Sequence, residues 1–245
     1  MNTLTAEFFG TFLMMLLGLG VNANVSLKNT KGSFSSASAW VLICAGWAFA
    51  VYIGVVVAGP ISGAHLNPAV SLALLINGSL SLTDFFAYVG VQFVGAILAS
   101  FAIWFMYQDH FNATESLETR RGVFCTAPEY ANVPRNFFSE FIGAFVLLFA
   151  ILHFTDPEVM ASGEKIGMGS IGALPVAIVV WGIGISLGGT TGYAINPARD
   201  MGPRIAHLLL PVKQKADSNW SYGWIPVLGP LCGGAFAALL FSLLS

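Results

Sequence analysis

Four stretches of this chain, 32–83, 85–108, 166–198 and 218–245, contain no Asp, Glu, Lys or Arg. About 20 apolar residues cross the hydrocarbon core of a bilayer, and each stretch is longer than that. Only 9% of the 245 residues are charged, against about 25% in soluble chains. Too few solvated side chains remain to cover a water-facing surface, which excludes a soluble enzyme, a nucleic-acid binder and a disordered protein. The chain reads as an integral membrane protein. Its ten basic residues, in a net charge of −2, are too scattered for a phosphate-binding face. Cys44, Cys125 and Cys232 show neither zinc-site nor disulfide spacing. No cofactor or metal is suggested. The first apolar run carries acidic Glu7 rather than a basic leader and lacks a small-residue cleavage site, so it reads as a retained helix.

Six runs are long enough to span, at roughly 4–26, 37–59, 83–107, 134–154, 171–190 and 222–244. Polar segments separate them. Two further apolar pieces, 59–78 and 188–210, are broken near their starts by glycine and proline and are too short to cross afterwards. These two pieces match: residues 62–70 read SGAHLNPAV and 191–199 read TGYAINPAR. A second pair, AEFFGTF from Ala6 and SEFIGAF from Ser139, lies upstream. Glu7 to Glu140 is a shift of 133 and Asn67 to Asn196 a shift of 129, so the chain is a duplication. One domain, 1–245, is expected, with a first repeat over 1–108, a second over 134–245 and a connecting loop over 109–133. Three spans per repeat force the halves to insert with opposite orientation. Inverted repeats with paired interrupted segments mark a midplane pathway. The fold class expected is all-α: six transmembrane helices plus two re-entrant half-helices.

Asn-Pro-Ala is a helix start. Asn caps, and Pro suits the first helical position because its missing N–H would have had no partner there. Short helices are predicted from Pro68 (with Ala69) to about Asn77, and from Pro197 (with Ala198) to about His207. The preceding residues, Gly63, Ala64 and His65, and Gly192, Tyr193 and Ala194, cannot continue a helix. Non-helical backbone at membrane depth is tolerated when it is buried in protein or lines a cavity, so their carbonyls are expected to line a pore. Asn67 and Asn196 would accept from their own helices and leave their NH2 groups to donate into the lumen. Two helix N-termini facing each other would oppose cations and protons.

Intramembrane carboxylates are expensive and usually functional. Glu7 and Glu140 have two readings, a proton relay or an anchor accepting backbone N–H groups of the unwound loops, and the anchor is favoured. Arg199 stands where the first repeat has Val70 and would offer a fork of donors at one pore mouth. Asp200 would orient the loop. His65 is either a packed, hydrogen-bonded ring or a titrating group. His110, His153 and His207 sit at span ends and need no role. Gly229 with Gly233, and Gly90, Gly95 and Ala96, read as close helix crossings.

Over essentially its whole length the chain resembles the aquaporin family, and within it the glycerol facilitator branch. The paired Asn-Pro-Ala boxes and the two glutamates carry the likeness. The resemblance implies a selectivity filter of Trp47, Gly184, Tyr193 and Arg199. Trp47 lies twenty residues before Asn67, and Gly184 lies twelve before Asn196, where water channels typically carry histidine. Asp200 and the pair Pro226 and Val227 are glycerol-branch features. Tyr193 departs from the phenylalanine frequent in bacterial glycerol facilitators. The expected activity is passive conduction of glycerol, related small polyols and water, without ions or protons. Trp47 and Tyr193 would offer the carbons an apolar corner, Arg199 and the loop carbonyls would serve the hydroxyls, and Gly184 would leave space. The resemblance also implies a homotetramer in the lipid bilayer of the cell membrane.

Two alternatives stand beside this. A strict water channel is disfavoured by Gly184, and a coupled secondary transporter would need an exposed coupling group besides the glutamates. Cytoplasmic termini, as the family implies, place Lys28, Lys31, Arg120, Arg121, Lys213 and Lys215 outside and only Lys165 inside. The positive-inside rule favours the reverse, but it counts few charges here, and a duplicated fold of opposite halves carries a weak bias.

Overall fold

The computed structural model describes residues 1–33, 38–158, 163, 166–212 and 214–245. Lys165 and Lys213, the proposed start of the second span at 37 and part of the polar segment between the fourth and fifth spans lie outside the described residues. The chain order is α1 (Thr3–Ser26), α2 (Ser38–Ser62), α3 (Pro68–Ile76), α4 (Leu82–Met106), α5 (Gln108–Ala113), α6 (Leu117–Gly122), α7 (Val133–Leu152), α8 (Leu174–Leu187), α9 (Pro197–Leu209), α10 (Trp220–Gly223) and α11 (Ile225–Leu244). A 3₁₀ turn, Gly169–Ala173, leads into α8. Among the described residues, six helical segments are long and apolar enough to cross a membrane, and none forms a strand.

Two span ends differ from the sequence reading by three residues. The second span continues through Gly59 and Pro60 to Ser62, and the chain breaks at Gly63, whose φ is +80°. Pro60 lies in the last turn, where the Gly63 N–H still reaches the Gly59 carbonyl at 3.1 Å and keeps the turn closed. The fifth span stops at Leu187 rather than 190, capped by Gly188.

The molecule inverts the soluble pattern. Phe49, Phe86, Phe105 and Ile178 face outward, as hydrocarbon permits, while Glu7, Gln92, Glu140, Asp200 and Arg204 are fully buried. Helix α1 packs between α2 and α4, and α7 between α8 and α11, so the two repeats are built alike. Each short helix leans chiefly on the last long helix of the other repeat, α3 on α11 and α9 on α4. The repeats are thereby laced together.

Small residues make the crossings close. A Cβ at Gly229 would stand 2.8 Å from Glu140 Cβ, and one at Gly233 would strike the Phe141 carbonyl oxygen. Gly95 lies likewise against the Phe8 carbonyl, at 2.8 Å. Gly90 does not belong to this set. It meets nothing within 4 Å, because five residues along a helix turn it well away from the face that carries Gly95. Gly233→Leu is therefore expected to cost at least about 1–3 kcal/mol by overpacking and to lower the unfolding midpoint in detergent, whereas Gly90→Leu leaves that midpoint unchanged.

Candidate functional site

The two broken segments meet at the centre of the bundle. Asn67 Oδ1 accepts from Ala69 N at 2.9 Å, and Asn196 Oδ1 from Ala198 N at 3.0 Å and Arg199 N at 3.1 Å. Pro68 and Pro197 open the helices. The amide nitrogens cross over: Asn67 Nδ2 donates to the Ile195 carbonyl at 2.9 Å, and Asn196 Nδ2 to the Leu66 carbonyl at 2.8 Å. This modifies the expectation that both NH2 groups are left for a lumen. One N–H of each amide is committed to the opposite loop, since that carbonyl would otherwise lack a donor, and the second N–H remains over.

Left-handed backbone recurs at matched places, Gly63, Ala64 and Leu66 in one loop and Gly192, Tyr193 and Ile195 in the other, with φ between +37° and +85°. Non-glycine residues there cost of order 1–3 kcal/mol each and persist only where the surroundings hold them. The carboxylates do the holding. Glu7 accepts from His65 N, Leu66 N and the Ser62 hydroxyl at 2.7–2.8 Å, and from Gln92 Nε2 at 2.9 Å. Glu140 accepts from Ala194 N at 3.0 Å and Ile195 N at 2.9 Å. His65 is packed, with Nδ1 at 3.0 Å from Ser71 Oγ and its ring edge-on to Tyr88.

Two cavities meet beside this centre. One, of about 230 Å³, is lined by both asparagines, by Gly63, Ala64, His65 and Ala194, and by Trp47. The other, of about 340 Å³, is lined by Trp40, Arg121, Glu129 and Gly192 among others. Among the described residues only Tyr193 and Arg199 border both, which makes this pair the neck. The Arg199 guanidinium lies over the Trp47 ring, 4.1 Å from its centroid, and its Nη1 has no hydrogen-bond partner among the described residues. Trp47 Nε1 donates to Asn22 Oδ1 at 3.0 Å, and Asn22 Nδ2 to the Val123 carbonyl at 3.2 Å.

Gly184 borders neither cavity. A Cβ there would lie 2.9 Å from Tyr193 Cζ and 3.0 Å from Cys44 Sγ. The space expected to stand open is filled by the Tyr193 ring.

Asp200 does more than orient its loop. Oδ2 accepts from Thr126 N and Oγ1, both at 2.7 Å, and Oδ1 from Arg204 Nε at 2.9 Å and Nη2 at 2.7 Å. Arg204 in turn donates to the Thr126, Ser218 and Asn219 carbonyls. The pair clamps the connecting loop and the entry to α10 onto α9. His207, set aside at the sequence level, is buried here, with Nδ1 2.8 Å from Ser218 Oγ. Lys215 Nζ caps α9 at the His207, Leu208 and Leu210 carbonyls. Cys125 closes the loop wall, and burial pushes its thiol up to about 12.

Sequence reasoning missed Arg204, Gln92, Ser71, Asn22 and Trp40. Arg204 had a visible signal, four residues after Asp200 on a predicted helix, the spacing at which opposite charges pair. Gln92 and Asn22 stand out as polar residues within apolar runs.

Six apolar helices around two cavities joined at a neck define a multi-pass membrane protein of the channel class. Residues 1–241 match the Major intrinsic protein family, and the chain belongs to it. It is 44% identical over 243 residues to the glycerol uptake facilitator protein of Streptococcus pneumoniae (strain ATCC BAA-255 / R6), covering 99% of each chain. It is likewise 44% identical over 241 residues to glycerol uptake facilitator protein 3 of Lactiplantibacillus plantarum, covering 98% of this chain and 96% of that one. The fold matches the X-ray structure of the aquaglyceroporin from Plasmodium falciparum with a TM-score of 0.82 at 29% identity, covering 97% and 93% of the two chains.

Removing one member of a buried ion pair leaves an uncompensated charge and costs about 3–5 kcal/mol. Asp200→Ala should do so, measured by denaturant unfolding in detergent. Adding Arg204→Met should return most of the loss.

Proposed function

We propose that the protein is a passive channel for glycerol and related small polyols, and for water, which excludes ions and protons. The observation that carries this reading is the neck, where Tyr193 and Arg199 border both cavities and Arg199, stacked on Trp47, has an Nη1 without a partner among the described residues. A polyol has hydroxyls that the guanidinium and the spare asparagine N–H groups can serve, and carbons that suit aromatic walls. An ion would have to shed its water between two helix N-termini whose positive ends converge on the asparagines. The glycerol facilitator relatives, alike over nearly the full chain, support the same solute class.

Several finer points belong to this reading. The selectivity filter is Trp47, Gly184, Tyr193 and Arg199, with Gly184 acting by admitting the Tyr193 ring. Carbonyls of Gly63, Ala64, His65, Gly192, Tyr193 and Ala194 guide the solute. Helices α3 and α9 are the two re-entrant halves of the inverted repeats 1–108 and 134–245. Glu7 and Glu140 act as loop anchors rather than proton relays, because their oxygens are already engaged by loop N–H donors. The working form is a homotetramer in the cell membrane with both termini cytoplasmic.

Stopped-flow swelling of proteoliposomes in a glycerol gradient tests the activity. Flux should rise linearly with the gradient and carry no proton current. A current coupled to flux, or uptake against a gradient, would overturn the reading. Gly184→His sharpens the test. The imidazole and the Tyr193 ring cannot share one space, so one of them must stand in the neck. Water needs a single file only about 3 Å wide, near one hydrogen-bond length. The glycerol-to-water permeability ratio should therefore fall by about tenfold or more.

A further inference from the structure

The hydroxyl of Tyr193 is the one feature of the neck that a polyol channel does not obviously need. It sits at the closed end of the ring, buried and without an oxygen or nitrogen partner among the described residues. The atoms around it explain why. The ring rests on α8 over Gly184 and Gly188: a Cβ at Gly184 would meet Tyr193 Cζ at 2.9 Å and Oη at 3.1 Å, and one at Gly188 would strike Tyr193 Cδ1. Gly188 has φ −74°, a value any residue adopts, so its backbone does not require glycine; the ring does. Cys44 Sγ closes the phenolic end, within 3.0 Å of the same Gly184 Cβ position. Trp40 closes the side, meeting Tyr193 edge-to-face at 5.7 Å while its Nε1 donates to the Gly184 carbonyl at 3.1 Å. Cys44 is fully buried and borders neither cavity.

We propose that the bore of the neck is set one layer behind the lumen: Cys44 and Gly184 form a seat for the phenolic end of Tyr193, while Gly188, at the wall of the second cavity, gives room to the ring edge at Cδ1, so solute meets ring carbon and never the hydroxyl. Cys44 is thus a positioning residue for selectivity. A thiol is small and weakly polar, which suits a place that must take a phenol oxygen without pulling the ring further in or pushing it out. This assignment rests on the channel reading above for its functional meaning, while the seat itself is a statement of geometry.

Three variants in proteoliposomes test it, each scored by the ratio of glycerol to water permeability. Cys44→Leu should lower the ratio by about tenfold or more by driving the ring into the neck, on the scale at which apolar pockets discriminate by size. Gly184→Ala fills the same seat from the helix side and should act in the same direction, which keeps the test alive if Cys44→Leu does not fold. In a Tyr193→Ala background, Cys44→Leu should no longer change the ratio. Parent-like ratios in folded Cys44→Leu and Gly184→Ala would overturn the proposal, and so would an effect of Cys44→Leu that survives Tyr193→Ala.

A flux-free measurement separates this from the channel reading. With Cys125 and Cys232 replaced by Ala, Cys44 should resist a small charged methanethiosulfonate, followed by mass, and should react once Tyr193→Ala opens the seat. If the parent passes no glycerol, the channel reading falls while this labelling still decides the seat. Cys44 labelled equally with and without the ring would refute it.

Discussion

Two asparagine side chains hold the centre together. Each caps its own short helix through Oδ1 and ties down the other repeat's loop through Nδ2, at 2.9 Å and 2.8 Å. In hydrocarbon an unpaired backbone group costs several kcal/mol, with no water to relieve it. A chain that breaks two apolar segments inside a helix bundle must therefore provide every donor and acceptor itself. The exchange of amides does this with one residue per repeat. It also fixes the separation of the two helix tips, on which the neck, the cavities and the cross-packing of α3 and α9 all depend.

The two loops reach the same backbone path with different support. In the first repeat a polar chain runs from Glu7 through Gln92 and Ser71 to His65. In the second, Glu140 serves the loop N–H groups, and Asp200 and Arg204 of α9 draw added support from outside the repeat by binding Thr126 of the connecting loop. The repeats differ as well in what stands after the third motif residue: Val70 is buried and apolar, whereas Arg199 is held by Trp47 from the first repeat. The duplication thus supplies a symmetric frame, and the departures from symmetry furnish the chemistry.

Much of this frame was legible in the sequence. The uncharged runs gave the spans, and the matched SGAHLNPAV and TGYAINPAR segments gave the short helices, because capping by Asn and Pro is a local property. The glutamates could be linked to the loops because a membrane allows a carboxylate few other partners. What could not be read was lateral. Nothing in a one-dimensional pattern says that the Tyr193 ring lies over Gly184, that Gly90 turns outward while Gly95 packs, or that Thr126 in a remote loop meets Asp200. Those facts arise from helix rotation and loop placement, which sequence spacing leaves free.

The first loop and the amide exchange differ in when they can form. Every ligand of Glu7 lies before α5: Ser62, His65, Leu66 and Gln92. The first three long helices can therefore settle their own buried charge as soon as they leave the insertion machinery. Asn67 Nδ2 and the Leu66 carbonyl have no such option. Their partners, Ile195 and Asn196, arrive nearly 130 residues later. A half-made chain in the bilayer carries a satisfied carboxylate and an open amide edge. Synthesis thus gives the molecule a built-in order of assembly, in which the first half waits, folded but incomplete, for the second to close over it.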